Sequence, residues 1–190
     1  MTTILAFSGR KQSGKDTSAN FLLDLAPDKV KLYSFAYQLK RVAHEVFGLT
    51  KEQCWGNNES KDEFVEHVGM TARQLMQRIG DVFRKIDPDV WVKSCLNQIK
   101  AEKLPFAIIT DCRFPNEVRA VKKAGGKVIR FTRAPFADQD NHKSETALSP
   151  DRFDQNKFDA IILNGMMTVK QQNMAVLNTL KDFGSDYNIF

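Results

Sequence analysis

The chain has 190 residues, of which 42% are hydrophobic and 27% charged, and carries a net charge of +5 with a pI near 9.1. That length suits one domain with a substantial core and is too short for two well-buried ones. No apolar run approaches the roughly 20 residues of a membrane helix, and the opening MTTILAFSGRK lacks the charged start of a secretory signal. The three cysteines, Cys54, Cys95 and Cys112, show no C-x-x-C spacing, so buried or incidental thiols in a cytoplasmic protein are expected. The positive charge favours anionic partners without choosing among nucleotides, nucleic acid and acidic protein.

Residues 3–7, TILAF, predict a short strand, a glycine-containing loop follows, and TSANFLLDL reads as a helix. KVKLYSF at 29–35 alternates as a second strand does. AYQLKRVAHEVFG then places Leu39, Val42, Ala43, Val46 and Phe47 at helical spacing, with Gly48 as the stop. From Leu49 to Met70 the sequence is polar and irregular, which predicts an insertion or mobile flap. Thr71 caps a helix through ARQLMQRIGDVFRKI, and Asp87-Pro88-Asp89 separates it from the helix VWVKSCLNQIKAEK. FAIIT at 106–110 is a continuous apolar run, as in a strand buried on both faces, and Asp111 follows it. A helix NEVRAVKKAG, strands KVIRFT and DAIILN, and a last helix MMTVKQQNMAVLNTLKDF complete the order. The stretch 134–158 has no clear period, and its length predicts a functional, lid-like loop.

Strands alternating with helices predict an α/β fold of three layers, α/β/α, around a mostly parallel five-stranded sheet. The expected organisation is one domain over residues 1–190, with a helical insertion at 49–103 and the lid at 134–158. Ligands of such sheets sit outside the carboxyl ends of the strands. That rule gathers Gly9–Thr17, the segment after Phe35, Asp111–Arg113 and the segment after Arg133.

The loop FSGRKQSGKDT fits G-x-x-x-x-G-K at Gly9, Gly14 and Lys15, with Lys11, Gln12 and Ser13 inside it. Two glycines let successive N–H groups face one centre and the following helix adds its positive end, which suits the phosphates of a nucleoside triphosphate. Lys15 would reach the β- and γ-phosphates. The hydroxyl normally found next arrives one place late, at Thr17, behind Asp16. A carboxylate is also a hard oxygen donor for Mg²⁺, so the departure alters the loop without breaking it.

The chain resembles the deoxynucleoside monophosphate kinases of bacteriophages, within the P-loop NTPase fold and the nucleoside monophosphate kinase superfamily. The resemblance rests on GRKQSGKDT, SFAYQLKRVA, TARQLMQRIGDVFRKIDPDVWVK, ITDCRFPNEVRAVKKAGGKVIRFTR and NHKSETAL. It implies transfer of the γ-phosphoryl group of ATP, with Mg²⁺, to a deoxynucleoside monophosphate. Carried over, Gly9–Thr17 hold ATP, Asp16, Thr17 and Asp111 serve the metal, and Lys40, Arg73, Gln74, Gln77, Arg78 and Trp91 meet the acceptor. Arg113 or Arg133 then stabilises the charge of the transferred group. Arg130, an odd number of strand positions before Arg133, is expected on the opposite face of the sheet. His142 and Glu145 are assigned to lid closure or substrate contact.

Kinases of phosphomevalonate or dephospho-coenzyme A share the loop logic and differ in the acceptor site. A nucleic-acid-binding module would cluster its basic residues, which are here spread over helices and strand ends. Asn156-Lys157-Phe158-Asp159 fits the guanine-reading N-K-x-D pattern, but it precedes a strand instead of following one. The expected partners are therefore two small molecules, with no membrane and no stable nucleic acid, and a homodimer is left open.

Overall fold

The computed structural model describes residues 2–135, 142–187 and 189. In chain order the elements are β1 (Thr3–Ser8), α1 (Lys15–Leu25), β2 (Val30–Tyr33), α2 (Tyr37–Glu45), α3 (Lys51–Trp55), α4 (Asn58–Asp62), β3 (Phe64–Val65), β4 (Met70–Thr71), α5 (Ala72–Ile86) and α6 (Val90–Glu102), then β5 (Phe106–Cys112), α7 (Pro115–Lys123), β6 (Lys127–Phe131), α8 (Lys143–Thr146), β7 (Ala160–Ile162) and α9 (Val169–Asp182). They divide into two compact units, one comprising residues up to Ser34 and from Gln98 onward, the other Phe35–Asn97.

The first unit holds a five-stranded sheet in the order β2-β5-β1-β6-β7, and every neighbouring pair is parallel. Parallel strands covered on both sides need apolar residues on both faces, and Ile4 to Phe7 and Phe106 to Ile109 are all buried. Leu5 and Phe7 join Ala19 and Leu22 of α1 and Val176 and Leu180 of α9 in one core. Ile4, on the other side of the pleat, and Val121 of α7 both crowd Gly126, where a Cβ would lie 3.0 Å from Ile4 Cβ and 2.9 Å from Val121 Cγ1. The three predicted layers are present.

From β1 the chain turns to one side of the sheet, and from β5 it crosses to the other side. The carboxyl end of β1 therefore opens at the place where ligands of such sheets bind. Along β1 and β5 the pairing runs Ala6↔Ile109 and then Ser8↔Cys112. One extra residue thus enters β5 just where Asp111 lies, as a bulge does when it re-aims a side chain. Asp111 consequently stands inside the strand, where the sequence placed it after the strand's end.

The second unit is helical, and it starts earlier than the expected insertion because Leu39 and Ala43 of α2 share a core with Leu75, Met76 and Ile79 of α5. Gly80 permits the approach, since a Cβ there would lie 3.0 Å from Leu39 Cδ1. The polar stretch read as irregular contains α3, α4 and the β3–β4 hairpin. Its polar side chains build the helix starts. Thr50 and Gln53 form a reciprocal cap on α3, and the Asn57 side chain accepts from Ser60 N–H at 2.9 Å.

In the first unit Glu102, at the end of α6, accepts from Lys31 Nζ at 2.6 Å, Tyr33 Oη at 2.7 Å and Gln98 Nε2 at 2.8 Å. These donors, led by Lys31, pull its carboxyl from 4.5 down to about 2. A depressed pKa stabilises the fold fully above the ordinary value and loses that contribution as pH falls through the lowered one. Glu102→Gln should therefore cost about 1 kcal/mol at pH 7, the modest figure reflecting solvent screening. Urea titrations at pH 7 and pH 2 should show the difference from the parent shrinking at the lower pH. An equal gap at both would refute the pairing.

Candidate active site

The loop after β1 is shaped by where side chains cannot go. At Gly9 a Cβ would lie 2.4 Å from Ser13 Oγ and 3.2 Å from the Phe131 carbonyl oxygen. Ser13 N–H closes a turn onto the Arg10 carbonyl at 3.1 Å. Gln12 and Gly14 take left-handed backbone, at φ 57° and 93°, and Gly14 is the residue from which α1 springs. The N–H groups that begin a helix have no intrahelical partner, so the loop and the first turn together offer donors to an anion.

Lys15 is 3% exposed, and its ammonium donates to the Arg10 carbonyl at 3.2 Å. Burial and then the Arg113 guanidinium bring its pKa down to about 8, against the opposing pull of Asp16, Glu145 and Asp111.

A carboxylate already occupies part of this donor set. Glu145 of α8, with its side chain 8% exposed, is salt-bridged to Arg113 Nη1. It also accepts from Lys11 N–H, inside the loop, at 2.7 Å. Arg10 Nε donates to the Glu145 carbonyl at 3.2 Å, and Arg113 Nη1 to that of Ser144 at 3.3 Å. Burial works against the Arg113 charge, but Glu145 and Asp111 outweigh it and hold the guanidinium ionised. Arg113 is in turn fixed at the start of α7, where the buried Glu117 accepts from the Arg113 and Phe114 N–H groups at 2.6 and 2.9 Å. Asp111 accepts from Ser34 Oγ at 2.6 Å.

Arg130 and Arg133 are placed differently from expectation. Because β6 stops at Phe131, strand alternation does not carry through to Arg133, which is exposed. Arg130 donates to Ser8 Oγ at 2.9 Å, and the charges of Arg10, Glu145 and Arg113 reach it. It belongs with the loop. His142 caps α8, its Nδ1 accepting from Ser144 N–H at 3.2 Å. The part of the expected lid at 136–141 lies outside the described residues.

In the helical unit, Arg73 is tied to Asp62 at 2.6 Å and Asn58 at 3.2 Å. Gln74 spends its side-chain oxygen on the Thr71 N–H, at 2.9 Å, closing the cap of α5. Trp91 is buried against Phe83, with ring centroids 5.2 Å apart, and its indole N–H points to the Gly80 carbonyl at 3.5 Å. Arg78 is exposed, and Lys40 and Gln77 are half-buried.

The donor set accepts an anionic oxygen, as Glu145 demonstrates on Lys11 N–H and Arg113, so the residues fit the phosphates of ATP. For Mg²⁺ the candidates are the exposed Asp16 and Thr17 and the half-buried Asp111. Among the described residues no group of three or more His, Cys, Asp or Glu could hold a metal. One or two carboxylates suit an ion that takes its other oxygens from phosphate and water.

Beneath the loop lies a polar network that sequence reasoning missed. Asn164, after β7, donates to the Ser13 carbonyl and to Gln172 Oε1, both at 2.6 Å. Gln172 Nε2 donates to the Gly14 carbonyl at 2.9 Å and Ser18 Oγ at 2.8 Å, and Ser18 donates to Asn173 Oδ1 at 3.0 Å. The available signal was a Gln-Asn pair on the buried side of a helix. The N-K-x-D pattern is structural, as its Asp159 pairs with Lys122 and Lys127 at 3.2 and 3.3 Å.

A family model described as phosphomevalonate kinase matches residues 7–127. An Acanthamoeba polyphaga mimivirus protein named "Putative deoxynucleotide monophosphate kinase" is 32% identical over 159 residues, covering 76% of this chain and 81% of that one. Ictalurid herpesvirus 1 protein ORF77 is 29% identical over 77% of this chain, which spans 59% of the viral protein. Among solved structures, a sugar kinase from Janibacter aligns with a TM-score of 0.47 at 11% identity over 95% of both chains. Shikimate kinase from Aquifex aeolicus aligns at 0.42 and 14% over 95% of this chain and 98% of that one. The matched span runs from the phosphate loop through the helical unit to Arg113 and α7, and on that match the chain belongs to the phosphomevalonate kinase family of P-loop kinases.

Proposed function

We propose that the protein is a deoxynucleoside monophosphate kinase, forming a deoxynucleoside diphosphate and ADP from the monophosphate and ATP. The observation that carries the reading is the convergence of Lys11 N–H and Arg113 on the two oxygens of one carboxylate, Glu145, whose charge also reaches the buried Lys15, beside the loop that follows β1. The choice of acceptor is supported by the viral relative's printed name, by the TDCRFPNE block on which the sequence resemblance rests, and by Asp16 and Thr17 after Lys15.

Loop N–H groups and Lys15 hold the phosphates, and Lys15, as a compact charge, follows the oxygens as negative charge spreads over the transferred group. Arg113, kept ionised, supplies a planar second cation, and Arg130 adds a third from β6. Mg²⁺, when bound, would supply neutralisation of the phosphate charge. Asp16, Thr17 and Asp111 are the residues that would hold it. A general base is not needed, because an acceptor phosphate with a second pKa near 6 is mostly dianionic at neutral pH. For the acceptor we retain Arg78, Gln77 and Lys40, whereas Gln74, Arg73 and Trp91 already serve the helical unit's own caps, ion pairs and core. The α8 contacts suit a lid that excludes water from the transferred group.

A second reading, with phosphomevalonate as acceptor, is favoured by the family model over residues 7–127. A panel separates the two. ADP release from Mg·ATP should appear with at least one deoxynucleoside monophosphate and with neither phosphomevalonate nor dephospho-coenzyme A at comparable efficiency, ribonucleoside monophosphates defining the sugar range; turnover confined to phosphomevalonate would replace the first reading with the second.

Lys15→Ala should lower kcat by two or more orders of magnitude while leaving the thermal midpoint unchanged or raised, since burying that ammonium opposes folding. Near-parent turnover would remove Lys15 from the chemistry. The lowered Lys15 pKa sets a pH limit as well. Phosphate binds the protonated ammonium, so the apparent Kd for Mg·ATP should rise once pH passes about 8, by about tenfold per further unit if that charge is indispensable. Calorimetric titrations from pH 7 to 9.5 that show a constant Kd would contradict the assignment.

A further inference from the structure

A loop that presents N–H groups to an anion must turn its carbonyl groups the other way. In a trans peptide the carbonyl of one residue and the N–H of the next lie in one plane and point in opposite directions. Holding the Ser13 carbonyl therefore aims the Gly14 N–H, and holding the Gly14 carbonyl aims the Lys15 N–H. These are the last two peptides before the helix, and both carbonyls are held by side-chain amides from the C-terminal part of the chain.

Asn164 is fully buried and Gln172 nearly so. Asn164 Nδ2 reaches the Ser13 carbonyl at 2.6 Å, and Gln172 Nε2 reaches the Gly14 carbonyl at 2.9 Å. The two amides are joined to each other at 2.6 Å. Asn164 Oδ1 accepts from the Arg133 N–H at 2.9 Å, so its amide cannot flip without losing three bonds at once. Gln172 is anchored through Ser18 Oγ and then Asn173. The network also accounts for Gly14. A Cβ there would lie 2.4 Å from Gln172 Oε1, so the glycine is required by its φ of 93° and again by the closeness of the amide that holds it.

We propose that Asn164 and Gln172 are positioning residues that set the anion-binding direction of the Gly14 and Lys15 N–H groups. They act through the loop backbone, without touching nucleotide. The inference rests on the reading of Gly9–Lys15 as a phosphate seat, and it holds whichever acceptor the kinase uses.

The test uses the full chain, with Mg·ATP and inorganic tripolyphosphate as probes, the second reporting on the loop without a base or sugar. Asn164→Ala removes the donor to Ser13. Gln172→Met is the gentler variant, because the Gly14 carbonyl keeps its helical bond from Ser18 N–H at 3.1 Å. Each variant should weaken both probes by a similar factor of about tenfold, corresponding to one or two mis-aimed N–H groups. KM for the acceptor should stay within about twofold. A merely structural role would lower the thermal midpoint and leave the probe affinities and the ATP-to-acceptor KM ratio unmoved. Parent-like affinity for both probes in folded Gln172→Met would overturn the proposal while leaving the loop reading intact. Failure of the parent itself to bind either probe would overturn the loop reading, and this proposal with it.

Discussion

The direction of a few backbone carbonyls constrains much of this site. A loop that turns N–H groups toward an anion has carbonyls facing the other way, where each needs a donor or costs stability. The Arg10 carbonyl takes its donors from within the loop, from Ser13 N–H and Lys15 Nζ. That of Ser13 takes its donor from Asn164, and that of Gly14 from Gln172 as well as from the helical N–H of Ser18. That demand explains features that look unrelated in the sequence: a glycine at 14, two buried amides after β7 and on α9, and a serine at 18 that faces α9 and not water. The packing of α9 on α1 brings these parts together, with the apolar contacts of Val176 and Leu180 supplying the stability that lets polar groups be buried nearby.

Charge is the second constraint. Arg10, Lys15, Arg113 and Arg130 gather around the loop, and Asp16, Asp111 and Glu145 offset them. The balance is uneven from residue to residue. Arg113 is held ionised by its carboxylate neighbours, whereas Lys15, nearly sealed and beside Arg113, gives up protonation most easily. A polyanion entering here favours the charged form of Lys15, so the protein's own electrostatic discomfort contributes to affinity for phosphate.

Much of the fold was legible because its signals are local. Continuous apolar runs marked the central strands, and Gly9, Gly14 and Lys15 marked the loop in its strand-to-helix setting. The order of the strands, the bulge that turns Asp111 and the cap-built helices α3 and α4 were not read, although Thr50 and Gln53 carry the three-residue spacing of a reciprocal cap. Polar composition in that stretch signals irregularity by itself, whereas its actual role is helix-start chemistry. The relation of Arg130 to Arg133 is not legible for a different reason, since strand alternation stops where β6 ends at Phe131. Asn164 and Gln172 could not be assigned at all, as their partners lie 151 and 158 positions away.

The family match ends at residue 127, yet Glu145, Asn164 and Gln172 all lie beyond it. The matched span holds the loop, Lys15 and Arg113, proposed above for the phosphates, and Asp111, proposed for the metal. The remaining third supplies what orients them, by a carboxylate on Arg113 and Lys11 N–H and by amides on two loop carbonyls. A carbonyl needs only some donor, and a guanidinium only some carboxylate. Such supporting contacts can therefore be met from different positions along a chain, whereas the loop's own geometry cannot.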